Sequence, residues 1–280
     1  MSEQAFEVAR ALGDKVAGGG RLWLFLDYDG TLAEFAPTPD TILPDEELID
    51  LLTRLANYPD HLRVVIMSGR RYKHIEALLP VRGILLAGTY GIEFKTWEGE
   101  QVRLIDFESE RPFLDQVKKH WKSIVEANPR VYLEDKGYSL ALHARRLSDQ
   151  EARKVIDDAK QYARDVVARG TFRMMGGYKF LEVAPTIANK GQSVATLLKR
   201  FPWPNADLVF FGDDDKDEEA FQVIKKHGGT AILAGPARPT LADWRVDGPA
   251  QVREWLCIFL ERLDERAAEQ QDQAHLTNSA

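Results

Sequence analysis

Five short, mostly apolar runs, at residues 22–26, 62–67, 83–87, 208–211 and 230–233, punctuate this chain, with amphipathic stretches between them. Apolar runs of this length without polar alternation describe strands covered on both faces, as in a parallel sheet sandwiched between helices. The stretches between them have helical spacing. Asp45 offers an N-cap to a helix over 46–56 in which Leu48, Leu51, Leu52 and Leu55 share one face. Residues 5–16, 71–79, 190–200 and 218–226 read the same way, the first of them stopped by Gly18-Gly19-Gly20. Strand, helix and strand in repeated succession form the right-handed crossover unit of α/β proteins.

Between residues 110 and 183 the texture changes. The order becomes helix (112–127), hairpin (131–133 with 139–143), helix (149–168) and hairpin (172–175 with 179–183). Ser148 and Glu151 form a capping box for the second helix, and Gly176-Gly177 is placed to turn the second hairpin. Two helix-hairpin units predict a four-stranded sheet with helices on one face, inserted into a parallel core that is interrupted and later completed. The expected boundaries are a first core part over 1–107, an α/β insert over 108–184, a second core part over 185–264 and a polar tail over 265–280. Residues 33–44, with Pro37, Pro39 and Pro44, read as an irregular flap. The Glu-, Gln- and Ala-rich tail from Asp264 reads as a fraying helix end followed by disorder. The fold class is α/β: a doubly wound parallel sheet with an inserted α/β domain.

Composition narrows the function. At 280 residues and 44% hydrophobic, the chain buries a substantial core and is long for one domain. Its net charge of -7 argues against a nucleic-acid partner, whose phosphates are bound by clustered Lys and Arg. No apolar stretch approaches the roughly 20 residues that cross a bilayer, and residues 1–20 lack the basic-then-apolar pattern of a signal peptide. The expectation is a soluble, cytoplasmic protein without a membrane partner. The single cysteine, Cys257, excludes an internal disulfide and a cysteine-based zinc site, and its place in the apolar stripe 252–260 reads as a core thiol.

Polar groups then cluster at the ends of the apolar runs. Asp27 and Asp29 stand two apart where the first run stops and Gly30 breaks the chain, which is where a parallel sheet delivers side chains to a ligand. The second run ends in Ser68-Gly69-Arg70, Asn189-Lys190-Gly191 opens a helix, and the fourth run ends in Gly212-Asp213-Asp214-Asp215-Lys216-Asp217. Alternation of Asp213, Asp215 and Asp217 invites comparison with a calcium loop, but Glu218 stands where that loop needs glycine and the motif follows a strand. A carboxylate-rich set of this kind suits a hard cation with oxygen ligands, Mg²⁺ before Ca²⁺ or zinc.

These four pieces, in this order, resemble the haloacid dehalogenase (HAD) superfamily of aspartate-nucleophile phosphatases. The resemblance implies a HAD-like core with a mobile α/β cap, here the insert. Asp27 would be the nucleophile that forms an aspartyl-phosphate, and Asp29 the acid that protonates the departing alkoxide and later takes a proton from water. Ser68 and Lys190 would hold phosphoryl oxygens, with Lys190 at a helix start that also favours an anion. Mg²⁺ would be held by a side-chain oxygen of Asp27, the main-chain carbonyl of Asp29 and the carboxylate of Asp213. Asp214 and Asp217 would accept hydrogen bonds that orient Lys190 and the cation's surroundings.

Within that superfamily the chain resembles the trehalose-6-phosphate phosphatases over residues 22–221. Beyond the pieces above, the resemblance rests on Gly91-Ile92-Glu93, Glu134-Asp135-Lys136 with His143 and Arg145, and Gly177 with Lys179 and Glu182-Val183. It implies that Glu134, Lys136, His143, Arg145, Lys179 and Glu182 face sugar hydroxyls from the insert, with Arg70 also at the substrate. The implied reaction is Mg²⁺-dependent hydrolysis of trehalose 6-phosphate by a monomer whose partner is a small sugar phosphate. Tyr90, Tyr178, Ala184 and Lys216 depart from the family's pattern, where histidine, lysine, arginine and threonine are usual. None touches the nucleophile, the acid/base or the metal set, so they bear on the substrate. A glucosylglycerol or glycosylglycerate phosphate is the alternative substrate, a sugar phosphomutase or phosphotransferase the alternative enzyme, and a silent sugar-phosphate sensor the alternative of another class.

Overall fold

The computed structural model describes residues 2–35, 42–177 and 179–278. From the N-terminus run α1 (Ser2–Ala17), β1 (Leu22–Asp27), α2 (Glu46–Ala56), β2 (Leu62–Met67), α3 (Tyr72–Leu78), β3 (Leu85–Gly88), a 3-10 turn (Thr89–Gly91), β4 (Glu93–Lys95) and β5 (Gln101–Arg103). Next come α4 (Phe107–Ala127), β6 (Tyr132–Asp135), β7 (Leu140–His143), α5 (Asp149–Val167), β8 (Phe172–Gly177) and β9 (Phe180–Pro185). The chain ends with α6 (Lys190–Arg200), β10 (Asp207–Gly212), α7 (Glu218–Lys226), β11 (Thr230–Ala234), β12 (Trp244–Val246) and α8 (Pro249–Asn278). Residues up to Val102 and from Asn189 onward form one unit; Arg103–Ala188 form the other.

The first unit is built on an eight-stranded sheet in the order β12-β11-β10-β1-β2-β3-β4-β5. Every pair from β12 to β3 is parallel, and β4 returns antiparallel to β3. All six residues of β1 are buried, which explains its lack of alternation. Leu22, Leu24 and Leu26 pack with Trp255, Phe259 and the leucines of α2, while Trp23 and Phe25 on the other face stack together and Phe25 meets Phe210. The Trp255 indole N–H donates to the Ala5 carbonyl at 2.7 Å, tying α8 to α1. From β1 the chain builds outward to β2 and β3 on one side and, after the second unit, to β11 and β12 on the other. The strand order therefore reverses beside β1, the place where such sheets open a crevice at their carboxyl ends.

The second unit has a four-stranded antiparallel sheet in the order β6-β7-β9-β8. Its own core joins Leu114, Val117 and Trp121 of α4 with Ile156, Ala159 and Ala163 of α5 and with Leu140, Leu142, Leu181 and Val183 of the sheet. Alternate positions, Tyr132, Glu134, His143, Phe180 and Glu182, occupy the opposite face. The Ser148–Glu151 capping box is formed.

Four details differ from expectation. Gly176 and Gly177 belong to β8, because their backbones continue the ladder to Leu181 and Phe180, so the reversal falls after them. Helix α4 starts at Phe107, ahead of Pro112, because Asp106 accepts the Glu108 N–H and Glu108 and Glu110 complement the first turn. Helix α8 continues to Asn278 through the stretch expected to fray, since Ala, Glu and Gln favour helix and no Gly or Pro interrupts them. β4, β5 and β12 have three residues each, too few to establish a period. Residues 36–41 of the expected flap, and Tyr178, lie outside the described residues. Among the described residues no helix is long and apolar enough to cross a membrane.

Candidate active site

Four segments converge at the carboxyl end of the first unit's sheet. β1 delivers Asp27 and the turn Tyr28 to Ala33, in which the Thr31, Leu32 and Ala33 N–H groups donate to the Tyr28 carbonyl. Gly30 takes φ +86°, and a Cβ there would lie 2.3 Å from Asp213 Oδ2, so only glycine lets the acidic turn after β10 come this close. Gly212 has the same constraint, since its Cβ would meet Asp217 Cγ at 2.3 Å.

Lys190, the first residue of α6, reaches the centre. Its ammonium donates to Asp27 Oδ1 at 2.5 Å and to Asp217 Oδ1 at 2.6 Å, and all three side chains are buried. Asp27 Oδ2 accepts from the Thr31 hydroxyl at 3.2 Å. Asp217 Oδ2 accepts the backbone N–H groups of Asp213 and Asp214, both at 3.1 Å, so both of its oxygens are committed to shaping the turn and holding Lys190. Ser68, buried after β2, accepts the Arg70 N–H on its Oγ at 3.1 Å and keeps its own hydroxyl hydrogen to donate.

Asp29 and Arg70 pair with one another. The Arg70 guanidinium donates through Nε and Nη2 to the two Asp29 oxygens, each at 2.7 Å, and Arg70 is 8% exposed. Arg70, expected at the substrate, is thus oriented onto the expected acid/base.

The electrostatics of this cluster are unbalanced. Burial, with the facing carboxylates of Asp27, Asp214 and Asp217, pushes Asp213 up to about 10. Burial likewise pushes Asp217 up to about 8 against the pull of Lys190, and raises Asp27. Burial alone would lower Lys190, but Asp217 and Asp27 override it and hold its ammonium well above the ordinary value. Carboxylates outnumber ammonium groups here, and oxygens of Asp27, Asp213 and Asp217 lie within 4.8 Å of one another. An all-oxygen set with excess negative charge fits a hard divalent cation.

The second unit gathers its own polar group. Glu134 Oε2 and His143 Nε2 lie 3.0 Å apart. Glu182 Oε1 accepts from the Lys136 ammonium at 3.1 Å and from the Ser139 hydroxyl at 2.6 Å, with Glu182 fully buried. Lys179 is not brought to this group: its ammonium donates to the Leu147 carbonyl at 2.5 Å and pairs with Asp149 at 2.9 Å, at the start of α5. Arg145 lies exposed in the turn after β7. Lys216, one of the departures from the family's pattern, pairs with Asp214 at 3.5 Å and sits 5.5 Å over the ring of another, Tyr90.

Sequence reasoning missed Ser139, whose only signal is its place opposite Lys136 across the β6–β7 hairpin. It also missed Arg253 of α8, which donates to the Leu32 carbonyl at 2.9 Å and to Asp45 at 2.6 Å and so braces the turn after β1. Nothing local marks an arginine more than 200 residues away.

A relative named trehalose-phosphate phosphatase B, from Arabidopsis thaliana, is 30% identical over 264 residues, covering 89% of this chain and 68% of the relative. One named trehalose-6-phosphate phosphatase, from Escherichia coli (strain K12), is 28% identical over 250 residues, covering 86% and 88%. The solved C-terminal domain of C. albicans trehalose-6-phosphate phosphatase superimposes with a TM-score of 0.76 at 24% identity, covering 90% of this chain and 96% of that one, and so shares the HAD fold. The sequence model of the family described as trehalose-phosphatase matches residues 25–250, and the chain belongs to that family.

Proposed function

We propose that this protein hydrolyses trehalose 6-phosphate to trehalose and phosphate, with Mg²⁺ as cofactor and Asp27 as nucleophile. The observation that carries the reading is Lys190, buried between Asp27 and Asp217 at 2.5 and 2.6 Å where the strand order reverses. An Asp27 oxygen attacks phosphorus, the bond to the sugar oxygen breaks, and Asp29, released from its bidentate pair with Arg70 and protonated, gives that oxygen a proton. Water then attacks the aspartyl-phosphate, Asp29 takes its proton, phosphate leaves and the Asp27 carboxylate is regenerated. Ser68 and Lys190 hold the phosphoryl oxygens, whose charge changes little in position through both displacements. Asp27, the Asp29 carbonyl and Asp213 would hold Mg²⁺, which when bound supplies positive charge against the phosphoryl group.

In the second unit, Glu134, Lys136, His143, Arg145 and Glu182 would recognise sugar hydroxyls, since each buried hydroxyl left unpaired is costly. Lys179 and Arg70, also expected at the substrate, have partners of their own: Lys179 at the start of α5 and Arg70 on Asp29.

The test is phosphate release from a panel of sugar phosphates, with Mg²⁺ and with chelator. Trehalose 6-phosphate is expected to be turned over fastest and only with the metal. Faster turnover of a glucosylglycerol or glycosylglycerate phosphate would move the substrate, and the Tyr90–Lys216 contact would be the first place to look. Isomer formation without free phosphate would replace hydrolysis by a mutase.

A further inference from the structure

Arg238 lies between β11 and β12 and takes no part in the chemistry above. Its guanidinium reaches the acidic turn after β10: Nη2 donates to the Asp214 carbonyl at 2.8 Å, and Nη1 pairs with Glu218 at 2.8 Å and Asp215 at 3.3 Å. Glu218 opens α7, and its two oxygens also accept the Thr240 hydroxyl at 2.7 Å and the Leu241 N–H at 2.8 Å. The Asp214 carbonyl that Arg238 holds also accepts the Asp217 N–H at 3.1 Å. Asp217 in turn binds Lys190 and the N–H groups of Asp213 and Asp214. Arg238 is therefore one hydrogen bond from the peptide that sets the turn.

We propose that Arg238 is a positioning residue for the divalent cation, holding residues 213–217 in the one conformation that aims Asp213 at Asp27. The turn packs carboxylates that repel one another and lean on Asp27, so it needs an external brace to stay closed. A planar fork that spans a main-chain carbonyl and a carboxylate supplies that brace, and a lysine cannot reproduce it. Arg238 is only partly buried, so its bonds rather than its packing carry the effect. The inference rests on the cation reading above.

The experiment uses the full chain stripped of metal, with Mn²⁺ as the probe and no substrate, and reads the dissociation constant by electron paramagnetic resonance of free Mn²⁺. Arg238→Lys keeps the charge and loses the fork; Arg238→Gln loses both. Each is expected to weaken Mn²⁺ binding by about 10-fold or more, the usual effect of removing a group that orients a ligand. The Mg²⁺ concentration for half-maximal phosphate release should rise by the same factor, with KM for trehalose 6-phosphate at saturating Mg²⁺ moving less than about twofold. Glu218→Gln cuts the same brace from its other end and should weaken Mn²⁺ binding too, which covers an Arg238 variant that fails to fold. Mn²⁺ binding within about twofold of the parent would overturn the proposal, and so would tighter binding in Arg238→Gln, the result of charge acting alone. Asp213→Asn separates the two readings: if it abolishes Mn²⁺ binding and the Arg238 variants do not, the proposal alone fails. If the parent binds no Mn²⁺, the cation reading fails and this proposal with it.

Discussion

Both units bury a lysine against carboxylates, with opposite balances of charge. In the first, Lys190 is shared by Asp27 and Asp217 and Lys216 pairs with Asp214 at 3.5 Å, which leaves Asp213 as a further carboxylate that burial and the facing acids push up to about 10. In the second, three acids of the β6-β7-β9 face and turn have their own counterparts. Glu182 has Lys136 and Ser139, Glu134 has His143, and Asp135 has Arg111 at 2.6 Å and Lys118 at 2.5 Å. Burial alone would raise Asp135, yet those two cations hold it well below the ordinary carboxylate range. The contrast separates a region short of positive charge from one already matched: a crowded acid cluster suits a divalent cation, whereas matched donors and acceptors suit neutral groups.

Substitutions can break or sharpen this contrast. The largest effect is expected from Asp27→Asn, which should lower phosphate release by about 10⁴-fold or more while the protein still folds, checked by single-turnover assay and circular dichroism. A variant with parental turnover would remove the nucleophile from Asp27.

Next comes charge removal in metal-free protein. Asp213→Asn takes a carboxylate from the crowded cluster and should raise the urea midpoint, whereas Glu182→Gln takes one from a matched set and should lower stability by about 1–3 kcal/mol. Equal signs for the two variants would erase the comparison. In kinetics, Glu182→Gln should raise KM for the sugar phosphate by about 10-fold or more, about 1.4 kcal/mol of binding, and leave turnover of p-nitrophenyl phosphate nearly intact.

The smallest effect belongs to Asp135→Asn, expected to cost about 1–2 kcal/mol at pH 7. Because the folded carboxyl lies below its ordinary value, this contribution is full above about pH 5 and fades as pH falls through the acid range. The gap in urea midpoint between the parent and the variant should begin to narrow only below about pH 4 and keep shrinking as pH falls further, and a constant gap through the acid range would mean that the pair with Arg111 is not what stabilises.

Much of this molecule was readable residue by residue. The apolar run of β1, the Asp45 cap of α2 and the Ser148–Glu151 box of α5 all depend on neighbours a few positions away. Ser68, Lys190 and Asp213 stand at the ends of such elements, where a parallel sheet presents its residues. Arg70 and Lys179 were harder, because a long side chain at a loop can reach several partners. Arg70 found Asp29 41 positions away, and Lys179 found the start of α5.

Sequence alone determined the longer elements, the interruption of the core by an insert and the acids at the strand ends, because periodicity and capping are local physics. Tertiary structure decided the charge balance. Lys190 meets Asp27 across 163 positions, Glu182 meets Lys136 across 46, and Arg238 meets the Asp214 carbonyl across 24. Whether a buried carboxylate is matched or left in excess depends on which strands the sheet sets side by side, and so on topology rather than on any stretch of chain.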